Sequence, residues 1–383
     1  MLSLRARRIT ISTIVLLALL APAGARADWK QFHNTATRRG LTTHASITRT
    51  EAQHLSIVWS MDTGGTVKSS PAIANGILYI GSDDGKLWAL DAANGNVVWS
   101  AQTGDKIRSS PAVSGGVVYI GSNDGTMYAF DASSGATVWT KSLGGWITAA
   151  PLVVDGRVFI GTRGGYFYAL DADTGAVKWS HNTWDVWGSA AYKGGLVYVG
   201  SDQYKLFAYH SGSGTLKWSR TFAGRLRGAP SISGGSVFVG DDEGFVKSFD
   251  RTSGKLKWSR RAAPASTNAI VRCAPAVARG LVFVDTGETT PMDGHVVAYR
   301  VHSGKEVWKS HMADYAESSA AIANGVLYVG SYDTRLYAYD ADNGKELWTS
   351  GWGTFDGGVS SSPAVSGGKV YVGVGDGSVV AFG

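Results

Sequence analysis

The chain has 383 residues, of which 44% are hydrophobic and only 17% charged, and glycine is used 51 times. This length can bury a large core, and a glycine content about twice the average indicates many tight turns. A single cysteine excludes an internal disulfide framework, and a formal net charge of +6 is too small to indicate nucleic-acid binding.

Residues 1–27 have the pattern of a secretory signal peptide. A start with three arginines precedes an apolar run at residues 9–21, and Ala25-Arg-Ala27 offers a small-residue cleavage site. The run is too short to span a bilayer and no cysteine stands at the cleavage point, so we expect an exported protein without a transmembrane helix or lipid anchor. Removing this segment takes away four arginines and leaves 32 basic against 30 acidic residues, a net charge of +2.

Residues 28–54 form an extension that precedes the regular part of the chain. We expect Trp29 and Phe32 to pack on the following domain. Thr48 and Glu51 have the spacing of a capping box, which predicts one short helix before the first strand.

The remaining residues repeat with a period near 40. The pattern A-x-D-x-x-x-G-x-x-x-W runs from Ala89 to Trp99 and recurs along the chain, with His210 and Arg300 in place of the aspartate in two copies. Each unit contains four short runs rich in β-branched and aromatic residues, bounded by Gly, Asp, Asn or Ser. A fixed period of this length with four strand-like runs is typical of a β-propeller blade.

The ring is expected to close through its first strand. A second phrase, which opens the inner strand, occurs eight times, but the last unit ends at Gly383 before its outer strand, and a matching run stands at residues 55–59. We therefore predict an all-β, eight-bladed β-propeller of four-stranded antiparallel blades, closed by the N-terminal strand. The predicted blades cover about residues 66–103, 106–143, 146–183, 186–222, 225–262, 270–312, 315–351, and 358–383 together with 55–61.

The repeated pattern has a mechanical interpretation. Asp91 can accept hydrogen bonds from backbone N–H groups of the turn, and Gly95 can adopt the positive φ that a tight connection needs. We expect the tryptophans to hold neighbouring blades together, with the small Ala89 leaving space for an indole ring. The eight structural tryptophans are Trp59, Trp99, Trp139, Trp179, Trp218, Trp258, Trp308 and Trp348.

The repeat resembles the PQQ-like (quinoprotein-type) β-propeller family, because the eleven-residue pattern is similar to that family's tryptophan-docking motif across residues 55–383. The resemblance implies two possible branches. Quinoprotein dehydrogenases bind pyrroloquinoline quinone (PQQ) with Ca²⁺, often above two adjacent cysteines and sometimes beside a c-type haem. The outer-membrane assembly factor branch is a lipoprotein scaffold without a cofactor.

The residues fit the dehydrogenase branch poorly. Cys273 is the only cysteine and C-x-x-C-H is absent, which excludes a cysteine pair and covalent haem. Asn268 and Glu317 are scattered candidates for Ca²⁺ rather than a regular set, and the histidines lack metal-ligand spacing. The acidic hairpins at Asp83-Asp84 and residues 241–243 are expected to be turns with solvated tips.

One position in each blade is expected to surround the axial opening. It lies three residues before the inner-strand proline or its equivalent, and reads Lys68, Arg108, Thr148, Trp187, Arg227, Arg272, Glu317 and Ser360. Four are basic and one is acidic, and Trp146, Trp184, Tyr315, Trp352 and Phe355 fall in nearby loops. A basic opening rimmed by aromatic residues would suit a planar or anionic ligand or an extended peptide. The alternative is that these loops are solvated and their aromatics pack on neighbouring blades.

Blade six departs from the period through two five-residue insertions, in residues 260–272 and 285–294. Both are expected in loops on the same face, either as a wall over a site or as loop drift without function.

These observations favour an exported, monomeric, non-catalytic propeller that binds a protein, peptide or polymer at its axial face, without nucleic acid, metal or cofactor. The proposed ligand-binding residues are Lys68, Arg108, Trp187, Arg227, Arg272 and Glu317. The alternative is an alcohol or sugar dehydrogenase that binds PQQ with Ca²⁺ non-covalently, and a third possibility is a lyase or hydrolase acting on a secreted polysaccharide.

Overall fold

A computed structural model describes residues 28–43, 47–262, 269–289, 292–351 and 353–383. Over these residues the chain is all-β with one 3₁₀ turn at Glu51–Gln53, and its strands form eight sheets that are the blades of a ring. The predicted eight-bladed β-propeller is confirmed. The segment interpreted as a signal peptide lies outside the described residues. No helix in the described part of the chain is long and apolar enough to cross a membrane.

Within each blade the strands follow one another outwards as inner, second, third and outer strand. Blades one to four comprise Ala72–Ala74, Ile77–Gly81, Lys86–Asp91 and Val97–Gln102; Ala112–Ser114, Val117–Gly121, Thr126–Asp131 and Thr137–Ser142; Leu152–Val154, Arg157–Gly161, Tyr166–Asp171 and Val177–Asn182; Ala191–Lys193, Leu196–Ser201, Lys205–His210 and Leu216–Thr221. Blades five to eight comprise Ser231–Ser233, Ser236–Gly240, Phe245–Asp250 and Leu256–Arg261; Ala269–Ile270, Ala276–Ala278, Leu281–Thr289, Met292–Arg300 and Glu306–Met312; Ala321–Ala323, Val326–Gly330, Leu336–Asp340 and Glu346–Thr349, with Leu41–Thr42 added; Ala364–Ser366, Lys369–Gly373, Ser378–Phe382 and Ile57–Asp62.

The turns of each blade sort to two faces of the ring. The turn between third and outer strands forms as the sequence predicts, since Asp91 Oδ1 accepts the Ala93 N–H at 2.7 Å and Gly95 has a φ of 77°. This turn and the one between inner and second strands lie on what we call the closed face. The turns between second and third strands, and the connections between blades, lie on the opposite side, which we call the mouth face.

The tryptophans join each blade to the next one. The Trp59 indole lies over Gly95 of blade one so closely that a Cβ there would be 2.7 Å from the ring, and its Nε1 donates to the Ala92 carbonyl at 3.2 Å. The space is therefore provided by the turn glycine, not by Ala89 as the sequence suggested. The same stacking joins Trp99 to Gly135, Trp139 to Gly175, Trp179 to Gly214, Trp218 to Gly254, Trp258 to Gly304 and Trp308 to Gly344.

Trp348 does not follow this rule, because blade eight ends before it would reach the turn glycine. Its ring meets Phe382 edge-on, with centroids 5.4 Å apart. The strand Ile57–Asp62 instead completes blade eight, pairing antiparallel with Ser378–Phe382 in the register Trp59 to Ala381. Closure by the N-terminal strand is therefore confirmed.

Blade six accommodates its second insertion in a longer ladder rather than in the loop that we expected. Leu281–Thr289 and Met292–Arg300 pair without interruption. The short strand Ala269–Ile270 adds to this hairpin on the mouth face. The hairpin packs closely against the next connection, since a Cβ on Gly294 would lie 2.0 Å from the Asp314 carbonyl oxygen and one on Gly287 would lie 2.4 Å from Tyr315.

The N-terminal extension crosses the closed face and bonds to the inner strands in turn. Backbone hydrogen bonds join Trp29 to Ile73, Lys30 to Val113, Ala36 to Tyr192, Thr37 to Ile232, Arg39 to Val277 and Gly40 to Ile322. Trp29 is buried, as expected. After the extension, Thr48 and Glu51 exchange the two hydrogen bonds of the predicted capping box, at 2.7 and 3.2 Å, before the closing strand begins.

Arg38 anchors the extension to blades three and four. Its guanidinium is fully buried and donates to the carbonyl oxygens of Pro151 at 3.0 Å and Ala190 at 2.9 Å, and also to that of Phe32. Burial lowers the pKa of Arg38 to about 9. A buried charge held by backbone carbonyls fixes the extension in one position on the ring.

Candidate functional site

The structure brings all eight predicted axial positions to one opening on the mouth face, which we call the mouth. These residues, which we call entry residues, line a cavity of about 330 Å³ together with Arg163 and Tyr332. The entry residues are Lys68, Arg108, Thr148, Trp187, Arg227, Arg272, Glu317 and Ser360.

Aspartate side chains from the turns next to the entry residues neutralise most of the mouth's positive charge. Arg108 is paired with Asp83, with Nη2 to Oδ2 at 2.8 Å and Nε to Oδ1 at 3.0 Å. This hydrogen-bonded carboxylate raises the pKa of Arg108. In the same way Arg227 is paired with Asp202, where Nη2 lies 3.2 Å from Oδ2.

Asp242 extends this pattern to two arginines. Its Oδ1 accepts from Arg272 Nε at 2.9 Å, and its Oδ2 lies 3.7 Å from Arg227 Nε. Asp241 beside it is fully buried and paired with Lys247 at 3.1 Å. The expectation that the acidic hairpins have solvated tips is therefore wrong for Asp83, Asp241 and Asp242.

These pairs obey one rule. In blades one, four and five, the first residue of the turn between second and third strands, which we call the hairpin residue, contacts the entry residue of the following blade. Asp83, Asp202 and Asp242 are hairpin residues, and so are Arg163 and Tyr332. The sequence analysis did not predict the contribution of the hairpin residues. The signal that could have shown it is the constant separation of 25 residues between Asp83 and Arg108 and between Asp202 and Arg227.

In blades three and four the rule produces a stack of cations and aromatic rings. Arg163 is the hairpin residue of blade three, and its guanidinium carbon lies 3.8 Å from the ring centroid of the entry residue Trp187. Arg227 covers the same ring at 4.8 Å, and Arg163 also lies 4.7 Å from the Trp146 ring. Such contacts are favourable when the cation is partly desolvated. Trp187 therefore packs against two guanidinium groups.

On the opposite side of the mouth, two hydrogen bonds hold the Glu317 carboxylate in place. Its Oε1 accepts from Arg272 Nη1 at 3.2 Å and its Oε2 accepts from the Tyr332 hydroxyl at 2.9 Å. Tyr332 stacks on Tyr315 with ring centroids 4.5 Å apart. Burial, then the neighbouring Glu317 carboxylate, raises the pKa of Tyr332, so this phenol stays protonated.

The mouth is consequently close to neutral rather than basic. The cations Lys68, Arg108, Arg163, Arg227 and Arg272 meet the carboxylates Asp83, Asp202, Asp242 and Glu317. Among the mouth residues that the structure describes, Lys68 is exposed and takes part in no ion pair. Thr148 Oγ1 and Trp187 Nε1 are buried and have no hydrogen-bond partner within the described chain.

Below the mouth the axial channel narrows and then ends. A cavity of about 150 Å³ continues inwards between serine side chains, and Phe32 of the N-terminal extension lines it. The serines link neighbouring blades, as where Ser110 Oγ accepts the Ser70 N–H at 2.9 Å and Ser70 Oγ accepts the Ser362 N–H at 2.8 Å. The channel is therefore a blind recess closed by residues 28–43.

The other predicted aromatic residues have different roles. Trp146 and Trp184 are exposed on the mouth face, whereas Phe355 is buried and packs against Phe382 at a centroid distance of 6.1 Å. Expecting Phe355 at the opening was therefore wrong. Trp352 and Asn268 lie outside the described residues.

The cysteine and the histidine pair of blade six lie away from the mouth cavity. Cys273 is buried, and its Sγ accepts the Asp285 N–H at 3.2 Å. His295 and His311 meet near Asp293, with His311 Nε2 at 2.9 Å from Oδ1. Within the described ranges, no group of three or more His, Cys, Asp and Glu side chains is arranged to hold a metal ion.

Comparison with known families identifies the repeat. The family model described as outer membrane protein assembly factor BamB matches residues 40–110, 103–186, 181–313 and 292–383. The chain belongs to this family of PQQ-like repeat propellers. The resemblance inferred from the docking pattern is thereby confirmed.

Curated relatives of the BamB-like chain come from both expected branches. BamB of Salmonella typhimurium is 35% identical over 172 residues, which are 42% of this chain and 43% of that protein. A 1-butanol dehydrogenase (cytochrome c) of Thauera butanivorans is 37% identical over 84 residues, 21% of this chain and 12% of that enzyme. The chain thus spans less than half the length of these relatives.

Solved structures show the same fold at low identity. A quinohemoprotein alcohol dehydrogenase from Pseudomonas putida superposes with a TM-score of 0.81 at 18% identity, covering 93% of this chain and 80% of that one. BamB from Moraxella catarrhalis gives a TM-score of 0.73 at 20% identity, covering 86% and 97% respectively. At such identities the likeness concerns the fold alone.

Proposed function

We propose that this BamB-like propeller is an exported, non-catalytic scaffold that recognises a segment of a partner protein at the mouth. The observation that carries the proposal is the arrangement of entry residues and hairpin residues around the mouth. Their arginine, tyrosine and tryptophan side chains are held in fixed positions by ion pairs and by ring stacking. These residue types dominate the energetics of protein interfaces, and groups fixed in advance lose little conformational entropy on binding.

The shape of the recess supports a protein segment over a threaded polymer. Because Phe32 and the extension close the channel, a chain cannot pass through the ring. The mouth can instead take a turn or a protruding side chain, to which the exposed Lys68 ammonium group can donate hydrogen bonds. Export of the protein, suggested by the pattern of residues 1–27, and a monomeric state belong to the same proposal.

The dehydrogenase alternative rests on the structural likeness to quinohemoprotein enzymes and on the butanol dehydrogenase segment. PQQ is a planar quinone with carboxylates, so its site needs an accessible flat surface and unpaired cations. In the mouth the Trp187 ring already packs against the guanidinium groups of Arg163 and Arg227. Arg108, Arg227 and Arg272 are already paired with carboxylates. The residues present do not fit PQQ in this arrangement.

Calorimetric titration of residues 28–383 with PQQ, with and without Ca²⁺, separates the two functions. We expect no saturable binding. Submicromolar binding in the presence of Ca²⁺, followed by dye-linked oxidation of an alcohol or sugar, would replace the scaffold proposal with the dehydrogenase.

Site-specific photo-crosslinking in the producing cells tests the scaffold directly. A photoreactive residue at Lys68 should join one defined protein to the mouth, whereas the same residue at Val98, exposed on an outer strand, should not. Arg272→Ala should reduce the Lys68 product. Arg279→Ala removes another ion-paired arginine, next to the closed-face turn, and should leave the product unchanged. Equal products from Lys68 and Val98 would contradict recognition at the mouth.

A further inference from the structure

A separate cleft opens on the mouth face between blades three and four. It has a volume of about 500 Å³ and is bounded by the turn at residues 163–165, the connection at residues 182–185, the turn at residues 202–204, and Arg225. The cleft shares Arg163 with the mouth but lies outside the axial recess.

The cleft contains two aromatic residues at turn positions where several other blades have glycine. Tyr204 occupies the place of Gly85 and Gly125 in the turn between second and third strands, and it keeps their left-handed conformation with a φ of 61° against 82° and 81°. This conformation is unfavourable for a residue with a Cβ.

Trp184 repeats the substitution in the connection between blades. It follows Thr183 as Gly64 follows Thr63, and it has a φ of 60° where Gly64 has 83°. Burial does not compensate for the strain at either residue, because Trp184 is 55% exposed and Tyr204 is 38% exposed. Two strained aromatics that face solvent in one cleft point to a ligand, since strain of this kind is typically retained for function.

The composition of the cleft indicates what that ligand is. Its lining residues include the aromatic Trp184 and Tyr204 and no residue with an aliphatic side chain. A protein-docking cleft of this size would normally have an aliphatic or aromatic core that excludes water, surrounded by a polar rim. Here the lining is instead planar hydrogen-bonding groups, among them Asn182, Asp185 and Arg225.

A pyranose ring matches both features. It presents a face of C–H bonds that can lie on an indole or phenol ring, and an edge of adjacent hydroxyl groups. Amide, carboxylate and guanidinium groups can each bond two such hydroxyls at once. The carboxylates Asp185 and Asp202 offset Arg163 and Arg225, so the cleft has no net charge that would select an ionic ligand.

We propose that the cleft between blades three and four binds a neutral oligosaccharide, with Trp184 and Tyr204 as stacking platforms and Asn182, Asp185 and Arg225 as hydroxyl partners. The proposal does not depend on the function of the mouth.

The test uses glycine substitutions, which remove each platform and introduce the residue that several other blades have at that position. Residues 28–383 are titrated calorimetrically with cellotetraose, maltotetraose and chitotetraose. We expect at least one of them to bind saturably. Trp184→Gly and Tyr204→Gly should each weaken this binding at least tenfold while raising the melting temperature, because they relieve the backbone strain.

Thr334→Gly is the matched control. Thr334 holds the same turn position in blade seven, also with a positive φ of 69°, and does not line the cleft. This substitution should raise the melting temperature without changing saccharide affinity. The proposal is overturned if none of the three sugars binds at millimolar concentration, or if binding survives both glycine substitutions. Binding of unfolded peptides but no sugar, lost in Trp184→Gly, would also overturn it and assign the cleft to a protein.

Discussion

At the scale of single residues, the departures from the repeat are the informative positions. Asp285 stands where blade one has Gly81, at a site so tight that a Cβ on Gly81 would lie 2.1 Å from Ile107. Blade seven has the small Ala316 in place of that isoleucine, which makes room for the carboxyl. The Asp285 side chain is buried, and neither of its oxygens has a hydrogen-bond partner in the described chain.

Burial raises the pKa of Asp285 well above its usual range. The folded state therefore prefers the neutral acid, and stability falls as the pH rises above the ordinary carboxyl pKa near 4. Asp285→Asn should increase the free energy of unfolding at pH 8 by about 1–3 kcal/mol and change it little at pH 4. Urea denaturation at both pH values measures this, with the exposed Asp173→Asn as control. Equal effects of Asp285→Asn at the two pH values would contradict a buried neutral acid.

At the scale of the element, each blade is joined to the next one by an indole ring that packs on a turn glycine. Trp139 is buried, its Nε1 donates to the Ala172 carbonyl oxygen at 2.8 Å, and its ring covers Gly175. Trp348 has no such glycine and only partly buries its ring against Phe382.

Trp139→Ala should therefore lower the free energy of unfolding by about 3–5 kcal/mol, because it opens a cavity between blades two and three. Trp348→Ala should cost less, about 1–2 kcal/mol. Chemical denaturation monitored by circular dichroism compares them. Equal losses for the two variants would show that the glycine stack is not what holds the blades.

The features that could be predicted from the sequence are those with a local signal in the repeat. The period, the turn glycines and the incomplete last unit are local signals, so blade number and closure could be read from them. The convergence of the entry residues follows too, since equivalent positions of a closed ring lie at the same height. The pairing of Arg108 with Asp83 could not be read in the same way, because it depends on side-chain directions between blades. Tyr204 in a glycine position was visible in the aligned repeats, but only its backbone angle shows that it is strained.

At the scale of the whole molecule, two segments near the N-terminus hold the ring together. The extension bonds across the inner strands at the closed face, and the strand Ile57–Asp62 completes blade eight. Deleting residues 57–59 should open the ring, since it removes the Trp59 contact with blade one and exposes the edge of Ser378–Phe382. Light scattering should show soluble aggregates, whereas the exposed-position control Val58→Thr should remain monomeric. A monomeric deletion variant with native stability would exclude closure as the source of solubility.

The extension also couples the fold to pH through His33. Its ring is buried, with Nδ1 2.8 Å from the Arg38 carbonyl oxygen, and burial, followed by the nearby Arg38 charge, lowers the pKa of His33 to about 4. Between pH 6.5 and pH 4 the unfolded chain binds a proton that the folded chain refuses, so stability is lost as the pH falls through this window. At about 1.4 kcal/mol per pKa unit the loss is roughly 3 kcal/mol.

His33→Asn should flatten this dependence, because asparagine tolerates the positive φ of 56° at this position and does not titrate. Urea midpoints measured from pH 7 to pH 4 give the slope for both proteins, and His54→Asn, on a histidine exposed beyond the capping box, serves as the control. If the parent and His33→Asn lose stability in parallel, another group carries the acid sensitivity. If only His33→Asn is flat, protonation of His33 in the unfolded chain carries the acid sensitivity of the fold.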